Sequence, residues 1–502
     1  MSEYVPPSIE DLWKHLQGFG ANPIALRDHI TVPVTEMLSE LRGLDLGRGR
    51  IAGWLEPENI LRVEVPAATS PGIRWKKLGY KTKRDAMLQA AVEARGNIVR
   101  MRDVGGGYEV PPCGVAGRGK RVPIDRPSDG ERKEGRFIVM PDLVRHLMGM
   151  IAVQPLMKKI KQADKSNGGV MLGMGPFGGS YDRLAEYASG GKAYLCIDFK
   201  KFDQSVPRSV LRAVMQRVRE EFDEEEGSDG YWRSEFKQLV DTEVAMPDGH
   251  TYAKRAGVSS GDPWTSIVGS VANWLVLRIA LKRLGVDARI WTFGDDSLIA
   301  VDTDVPSESW LLEAVARELK SVFGMTVSKE KSIATRHLVG VFEEPEVGQT
   351  ANFLSAYFLQ TGTSVVPVRP IQDLHELMLV PERRKDTVWW EVARTAMAYL
   401  VFFWNDSARM TLEWYWDFLH REYEIPQLRG DPEILGMLRL MDLPWDQFKE
   451  EWLIRLPYRY EVELLYSHGY TTFFPPALWA LTYKDHVPLD GGNKVWWELE
   501  GQ

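Results

Sequence analysis

Two adjacent aspartates on a short turn constrain this chain more than any other feature of its sequence. The segment TFGDDS (292–297) separates two apolar runs that are rich in alternating and β-branched residues. Such runs are typical of strands, and Gly294 supplies the backbone freedom that a tight turn requires. The pattern predicts a β-hairpin that presents Asp295 and Asp296 at its tip, where carboxylates suit Mg²⁺, a cation that prefers oxygen ligands. Taken alone, the same residues are also typical of a solvated turn.

A second acidic site precedes the first in the chain. The apolar run 193–197 predicts a strand that ends at Asp198, and Asp203 follows five positions later. An aspartate at the end of a buried strand is costly unless something pairs with it. Metal ions shared by Asp198 and Asp295 would do so, in the arrangement used for phosphoryl or nucleotidyl transfer. The alternative is an ordinary helix cap near Ser205, ahead of a helix that Pro207 opens, with incidental acids nearby.

Between the two acidic sites lies a glycine- and hydroxyl-rich segment, GVSSGDPWT (257–265). Pro263 suits the first turn of a helix, the basic pair at 282–283 suits its C-terminal end, and Gly285 suits the position after it. The pattern predicts a long amphipathic helix preceded by a loop whose N–H groups and hydroxyls can face a sugar or a phosphate. The alternative is a capped core helix without a ligand.

In this order and at these spacings, the three sites resemble the palm motifs of viral RNA-dependent RNA polymerases. The matching residues are Asp198, Asp203, Ser260, Gly261, Thr265, Gly294, Asp295 and Asp296. Segment 323–332 resembles the lysine motif that follows the catalytic hairpin in this family, and segment 353–358 resembles the strand that grips the primer. These motifs cover about residues 120 to 370. The sequence around Asp198 is most similar to the corresponding segment in the enzymes of small double-stranded RNA viruses, picobirnaviruses first and partitiviruses next.

The resemblance implies nucleotidyl transfer with two metal ions. Asp198 and Asp295 are expected to hold two Mg²⁺ ions, with Mn²⁺ as a substitute, and Asp296 is expected beside them as a weaker or indirect ligand. One ion would activate the primer 3′-hydroxyl and the other would neutralise the departing pyrophosphate. Lys331 is the expected proton donor to the pyrophosphate, and Lys329 is the alternative.

The resemblance also implies a set of basic residues that bind the incoming triphosphate. Arg136 is expected to clamp it together with Lys133 or Arg132. A guanidinium group suits this role because its planar fork of donors matches phosphate oxygens.

Recognition of the ribose departs from the family pattern. Many relatives carry an asparagine one helical turn after the threonine of the second motif, but that position is Gly269 here. Asn273 lies a further turn along, displaced by about 6 Å. Sugar selection is therefore expected to rest on Asp203 with Ser260 or Thr265, and Asn273 stays a candidate nucleotide-binding residue.

The fold implied by the resemblance is α+β, a right hand of fingers, palm and thumb with an antiparallel palm sheet and a mostly helical thumb. The expected regions are 1–70 (an N-terminal region that bridges fingers and thumb), 71–190 (fingers), 191–206 (palm), 207–255 (an insertion between fingers and palm), 256–370 (palm) and 371–502 (thumb and C-terminal tail). In the tail, Trp496 and Trp497 need burial. They are expected either to seal the thumb core or to stack on the first base during initiation.

Composition limits the classes of protein to consider. The only cysteines, Cys113 and Cys196, provide neither a disulfide framework nor a zinc-binding spacing. No apolar run reaches membrane length, and the first thirteen residues do not have the pattern of a signal peptide. We therefore expect an intracellular enzyme without a membrane partner, located in the host cytoplasm and, by the resemblance, in the virion interior.

The charge distribution favours RNA as a partner even though the formal net charge is −8. Residues 73–102 contain nine Lys or Arg against two acids. An acidic exterior around a basic channel would attract RNA to the inside. The alternative is that these charge runs are solvated helix faces. The expected partners are RNA template and product, nucleoside triphosphates and, by the resemblance, a viral capsid protein.

The expected function is template-directed RNA synthesis that replicates and transcribes a viral RNA genome, expected to be double-stranded. One alternative is a reverse transcriptase, which usually has a bulky aromatic residue five positions after the first catalytic aspartate, where this chain has Asp203. The other is a catalytically silent, polymerase-like RNA-packaging protein, against which the intact acids argue.

Overall fold

The computed structural model describes residues 2–27, 30–123, 135–340, 349–379, 388–423 and 450–469. Its helices are α1 (Ile9–Gly18), α2 (Val34–Leu41), α3 (Ile73–Lys77), α4 (Lys83–Asp103), α5 (Leu143–Gln162), α6 (Ser180–Ala188), α7 (Phe202–Ser205), α8 (Arg208–Arg219), α9 (Ser228–Val240), α10 (Thr265–Arg283), α11 (Glu308–Phe323), α12 (Ile371–Leu379), α13 (Val388–Phe402), α14 (Asp406–Glu422) and a further helix at Arg459–His468. Short 3₁₀ helices occur at Pro57–Arg62 and Glu450–Leu453.

The strands in the same ranges are β1 (Ser2–Val5), β2 (Gly114–Arg118), β3 (Lys120–Pro123), β4 (Arg136–Met140), β5 (Gly169–Val170), β6 (Ala193–Cys196), β7 (Glu243–Ala245), β8 (Thr251–Ala253), β9 (Ala288–Phe293), β10 (Asp296–Val301), β11 (Ile333–Thr335), β12 (Val339–Gly340), β13 (Asn352–Phe353), β14 (Ala356–Thr361) and β15 (Ser364–Val368). No helix in the described ranges combines the length and the apolar character that a membrane span requires.

The central sheet of the described residues has the order β11-β6-β10-β9-β5. Its first four strands pair antiparallel, which confirms the hairpin of β9 and β10 and the antiparallel palm sheet expected from the sequence. The two-residue strand β5 pairs parallel with β9, although it lies within the range expected to form the fingers. Its place in the palm depends on a non-local pairing that two residues cannot signal in a sequence.

Both faces of this sheet are buried. In β10, Ile299 and Val301 enter a core shared with α8, α10 and α11, whereas Leu298 and Ala300 enter a second core shared with β14, β15 and the helices after residue 388. Successive side chains of a strand point to opposite faces. Residues 298–301 of the strand are therefore all apolar because they supply two cores, and the acids at the other end of the strand are held on a rigid base.

Helix α10 lies in the centre of the first core. Its bounds agree with the sequence signals, since Pro263 lies just before it and Gly285, just after it, has a φ of +69°. The expectation of an amphipathic helix was wrong, because the run of eleven residues from Ile267 to Leu277 is buried without interruption. A helix that is buried all round belongs to the interior of a large protein.

The segment expected to form the primer-gripping strand is a hairpin rather than a single strand. Strands β13 and β14 pair through Phe353 and Ala356, and the turn between them consists of Leu354 and Ser355, with φ values of +53° and +60°. Positive φ is uncommon for such residues. No glycine marks this turn, so nothing in the sequence predicts it. The described part of residues 371–469 is mainly helical, as expected for a thumb.

The N-terminal segment links the start of strand β4 to the ends of helices α7 and α11. The Asp11 carboxylate accepts a hydrogen bond from the Gly135 amide at 3.2 Å, just before β4. Asn22 Nδ2 donates to the carbonyls of Ser205 and Phe323, at 3.2 and 3.1 Å. This segment therefore restrains the end of the short helix α7, which carries Asp203.

Candidate active site

The acidic hairpin, which we define as residues 288–301, ends in a two-residue turn of Gly294 and Asp295, flanked by the pair Phe293 and Asp296. Gly294 has a φ of +61° and Asp295 has no positive φ, which is the pattern of a type II′ turn. A Cβ atom added to Gly294 would meet no other atom within 4 Å. Asp295 and Asp296 are both exposed to solvent. The turn therefore projects into open space and carries two accessible carboxylates.

The strand β6 brings a third carboxylate to the same end of the sheet. Ile197 N donates to Ser297 Oγ at 3.2 Å, and Leu195 lies opposite Ile299 in the ladder. Continuing this register by one residue beyond Ser297 places Asp198 across from Asp296. Acids that are distant in sequence are thus neighbours on adjacent strands.

The three acids lie close enough for their charges to affect one another. Burial, followed by the charges of Asp295 and Asp198, raises the pKa of Asp296 from 3.8 to about 7. The side chain is exposed to solvent, although protein atoms surround it on its inner side. A bound cation stabilises the ionised form of a carboxylate that lies in such a negative field.

The donor set fits a hard divalent cation that shares its coordination with other molecules. Within the described ranges, no group of three or more His, Cys, Asp or Glu side chains is placed so that it could hold a metal ion by itself. Oxygen atoms from Asp198, Asp295 and Asp296 would supply part of the coordination, and water or phosphate oxygens would supply the rest. Mg²⁺ is usually bound in this partial way.

The backbone of Asp198 is fixed by the segment 323–332. Asp198 N donates to Ser332 Oγ at 3.0 Å, and the Ser328 amide donates to the Asp198 carbonyl at 2.7 Å. Lys329 Nζ forms an ion pair with Glu313 at 2.6 Å. Lys331 is exposed and makes no ion pair with any residue that the structure describes. Of the two lysines, Lys331 is therefore the one whose ammonium group is available to a phosphate.

Asp203 lies on α7, close enough to the acidic hairpin for the charge of the hairpin to affect its pKa. Burial is the largest effect that raises the pKa of Asp203, and the charge of Asp295 raises it further, whereas His15 and Lys201 lower it. Its side chain is half-buried, and its carbonyl accepts a hydrogen bond from Val258 N at 2.7 Å. Asp203 therefore lies between the acidic hairpin and the loop that follows residue 256.

That loop, residues 257–265, is called the Ser-Gly loop below. It lies tightly packed between Asp203 and β4. A Cβ atom added to Gly257 would lie 2.3 Å from the Asp203 carbonyl oxygen. A Cβ atom added to Gly261 would lie 2.1 Å from the Val139 carbonyl oxygen. Val139 N donates to the Ser260 carbonyl at 2.9 Å. Contacts this short to backbone atoms leave glycine as the only residue that fits. The exposed Ser260 side chain is thereby held at a defined place.

The hydroxyl group of Thr265 forms a hydrogen bond within the Ser-Gly loop. Thr265 Oγ1 donates to the Ser259 carbonyl at 2.6 Å. Its proton is therefore committed to the loop, while its lone pairs can still accept a hydrogen bond. Thr265 thus closes the loop onto the first turn of α10.

A buried arginine that the sequence analysis did not single out anchors the same loop. Arg145 on α5 is 1% exposed, pairs with Glu235 at 2.5 Å and reaches Asp262 of the Ser-Gly loop at 3.0 Å. Trp264 Nε1 also donates to Glu235, at 2.6 Å. Buried charges are stable only when they are paired and hydrogen-bonded. The loop is therefore tied to helices α5 and α9 by a buried ionic network.

The expectation that Asn273 contacts the nucleotide is corrected by its position. Asn273 is 0% exposed, and its Nδ2 donates to the carbonyls of Gly294 and Asp296 at 3.1 and 3.2 Å. The extra helical turn beyond Gly269 carries the side chain beneath the acidic hairpin, where it is closed off from solvent. Asn273 supports the hairpin from below.

Arg136 is exposed at the start of β4, three residues before the Val139 contact with the Ser-Gly loop. Arg132, Lys133 and the tryptophans of the C-terminal tail lie outside the described residues. Their assignments stay predictions.

The model of the viral RNA-dependent RNA polymerase family matches residues 131–389, just over half of the chain. The chain belongs to this family. The match spans β4, α10, the acidic hairpin and the segment 323–332, so these elements lie within the polymerase region of the chain.

Individual relatives agree with this polymerase assignment. The crystal structure of the RNA-dependent RNA polymerase of a human picobirnavirus aligns with a TM-score of 0.58 over 95% of this chain and 83% of that chain, at 14% identity. This likeness establishes the right-hand fold. The genome polyproteins of Bean yellow mosaic virus and Turnip mosaic virus (strain Japanese) are each 28% identical, over 157 and 159 residues and 30% of this chain. The chain spans only 5% of the length of these curated relatives.

The structure thus brings together the polymerase acids and the Ser-Gly loop, and it adds supporting residues that the sequence analysis missed. Ser328 and Ser332 hold Asp198, and Arg145 holds the loop. A signal for Arg145 did exist, because a charged residue within the otherwise apolar first turns of α5 needs a buried partner. Serines that support a neighbouring strand have no comparable signal, since serine is common in loops of every kind.

Proposed function

We propose that this chain synthesises RNA on an RNA template by nucleotidyl transfer with two divalent cations, and that it thereby replicates and transcribes a viral RNA genome. The observation that carries the proposal is the convergence of Asp198, Asp295 and Asp296 at the ends of adjacent strands. The raised pKa of Asp296 supports it, because a cation would relieve that negative field.

In this proposal Asp198 and Asp295 hold two Mg²⁺ ions, or Mn²⁺ in their place, and Asp296 stands beside them. When bound, the ions increase the acidity of the primer 3′-hydroxyl and neutralise charge on the pyrophosphate. Lys331 gives a proton to the departing pyrophosphate. The ion pair of Lys329 with Glu313 favours Lys331 for this role.

The incoming nucleotide would lie between β4 and the Ser-Gly loop. Arg136 would clamp the triphosphate with its guanidinium fork. Asp203, with Ser260 or Thr265, would accept or relay the hydrogen bond of the ribose 2′-hydroxyl. The contact of the Asp203 carbonyl with Val258 supports this arrangement, because it fixes Asp203 relative to the loop.

The genome and the partners form a further part of the proposal. The resemblance of the sequence around Asp198 to the enzymes of small double-stranded RNA viruses supports a double-stranded RNA genome. A capsid protein would then be a partner, and the virion interior and the host cytoplasm would be the sites of action. Comparison of single- and double-stranded RNA templates in the assay below tests the template preference.

The decisive experiment is nucleotide incorporation by the purified chain on an RNA template, with and without primer, in Mg²⁺ and NTPs. We expect Asp198→Ala and Asp295→Ala to abolish incorporation while circular dichroism stays unchanged, because each removes a metal ligand from a site dominated by negative charge. Asp302→Ala is the matched control, since Asp302 follows β10 at the far end of the hairpin and pairs with Arg289. Near wild-type incorporation by Asp295→Ala would contradict the proposal.

The same assay with dNTPs examines sugar selection. A site built around a hydroxyl rejects the analogue that lacks it, because polar groups are then left unpaired. Asp203→Ala is therefore expected to reduce NTP use more than dNTP use. Equal losses with both substrates would show that Asp203 has a structural role only.

A further inference from the structure

The turn of the acidic hairpin contains backbone groups that its own ladder does not satisfy. Gly294 is a central residue of a two-residue turn, so its N–H and C=O need partners from elsewhere. The Gly294 amide donates to Ser270 Oγ at 2.7 Å, and the Gly294 carbonyl accepts from Asn273 Nδ2 at 3.1 Å. Both partners lie on α10, and both are 0% exposed.

Two further contacts join the same helix to the same turn. Asn273 Nδ2 also donates to the Asp296 carbonyl at 3.2 Å, and Thr292 Oγ1 donates to the Ser270 carbonyl at 2.8 Å. The hairpin is thus held at residues 292, 294 and 296, on both sides of Asp295. One rigid, buried helix makes all these contacts.

The orientation of both side chains is determined by their partners. Two carbonyl oxygens face the Asn273 amide, so its NH₂ group must point toward them. Ser270 Oγ donates to the Ser266 carbonyl at 2.7 Å and therefore presents a lone pair to Gly294 N. Neither side chain can adopt another arrangement without leaving a buried polar group of the turn unpaired.

Helix α10 lies close to the turn at Gly269. A Cβ atom added to Gly269 would lie 3.8 Å from Phe202 and 4.0 Å from Gly294 Cα. At this distance, a polar side chain on the next residue reaches the backbone of the hairpin directly.

We propose that Ser270 and Asn273 are positioning residues that set where the Asp295 and Asp296 carboxylates stand. This inference rests on the proposed function, since it concerns the acids of that site. Both acids are attached to backbone that these two side chains hold, and outer residues that orient metal ligands typically contribute about 10- to 100-fold in metal affinity or activity.

The test compares Ser270→Ala and Asn273→Ala with Ser209→Ala in the full-length chain. Ser209 is a matched control, because its hydroxyl is also buried on a helix but has no hydrogen-bond partner among the described residues. Three quantities are measured: the Mg²⁺ concentration for half-maximal incorporation with kcat, the melting temperature, and amide hydrogen exchange of a peptide that contains residues 292–296.

We expect Ser270→Ala and Asn273→Ala to raise the half-maximal Mg²⁺ concentration or lower kcat by about 10-fold or more. Exchange of the Gly294 amide should accelerate in Ser270→Ala, and Ser209→Ala should match the wild type. Asn273 Oδ1 is buried without a partner in the described residues. Removing it offsets part of the lost stability, so the melting temperature of Asn273→Ala should change little while activity falls.

Variants with wild-type Mg²⁺ dependence, kcat and local exchange, or with a lowered melting temperature as the only change, would overturn the positioning role. A wild-type chain that incorporates no nucleotide would refute the proposed function instead. The exchange measurement would then still decide whether Ser270 and Asn273 hold the turn.

Discussion

The acidic hairpin and the Ser-Gly loop both bring site residues to the cleft on glycine turns, but they need glycine for different reasons. Gly294 has a positive φ and open space around it, so only its backbone conformation favours glycine. Gly261 also has a positive φ, of +105°, and in addition it lies against the Val139 carbonyl, where no Cβ atom fits. The hairpin turn is therefore determined locally, whereas the loop is shaped by what packs against it.

This difference extends to the charges around each turn. The hairpin carries its acids in the open, where a cation can reach them. The loop carries Asp262 inward, where Arg145 and Glu235 complete a buried network. Substitutions in the loop and its anchors should therefore affect folding and positioning together, whereas substitutions in the hairpin should affect chemistry with modest changes in stability.

The largest effect is expected from removing the anchor of the loop. Arg145→Met leaves Glu235 and Asp262 buried without their partner, which should cost about 3–5 kcal/mol in the free energy of unfolding. Urea unfolding measures this cost. Arg42→Met is the control, because the Arg42 and Glu220 side chains are 66% and 40% exposed and such a pair is worth about 0–1 kcal/mol. Equal losses of unfolding free energy in the two variants would show that the buried network does not hold the loop, and the contrast with the hairpin would then fail.

Gly261→Ala should have the next largest effect. The added methyl group must displace either the loop or β4, because its contact is with a backbone oxygen. A displacement of about 1 Å can cost about 100-fold in rate. Steady-state incorporation should therefore show a strongly reduced kcat/KM for NTPs, with a folded protein by circular dichroism. Unchanged kinetics would mean that the loop adapts and is not held by Val139.

Gly294→Ala should be milder, although it lies next to the acids. Alanine fits the space, and the expected cost is the conformational penalty of a positive φ, about 1–2 kcal/mol. Urea unfolding should show this loss, and the kcat/KM of Gly294→Ala should exceed that of Gly261→Ala. The opposite ranking in kcat/KM would contradict the assignment of a local role to Gly294.

The smallest effect concerns the pH dependence of stability at the hairpin. The folded-state pKa of Asp296 is raised to about 7, so in metal-free protein its ionisation opposes folding. This penalty begins near the unfolded pKa of 3.8, grows as the pH rises, and is complete above pH 7. In EDTA, Asp296→Asn should therefore raise the melting temperature more at pH 8 than at pH 5. An equal rise at both values would show that the carboxylate has an ordinary pKa.

Much of the acidic site was predictable because its determinants are local. The turn, the strands and the acids of the hairpin lie within fourteen residues, and the bounds of α10 follow from Pro263 and Gly285. Asn273 and the turn at Leu354 and Ser355 were not predictable. The role of Asn273 depends on which element packs against one face of α10. The turn at Leu354 and Ser355 depends on a backbone conformation that non-glycine residues adopt only under tertiary constraint.

The sequence by itself determined the identity and order of the chemical groups: two acidic strand ends, a Ser-Gly loop and a lysine segment. It could do so because turns and alternating strands are encoded by neighbouring residues. Only the tertiary structure decided which groups support them, namely Arg145 for the loop, Ser328 and Ser332 for Asp198, and Ser270 and Asn273 for the hairpin. The physical reason is that a buried polar group must find a partner wherever the fold provides one, and sequence separation places no limit on that choice.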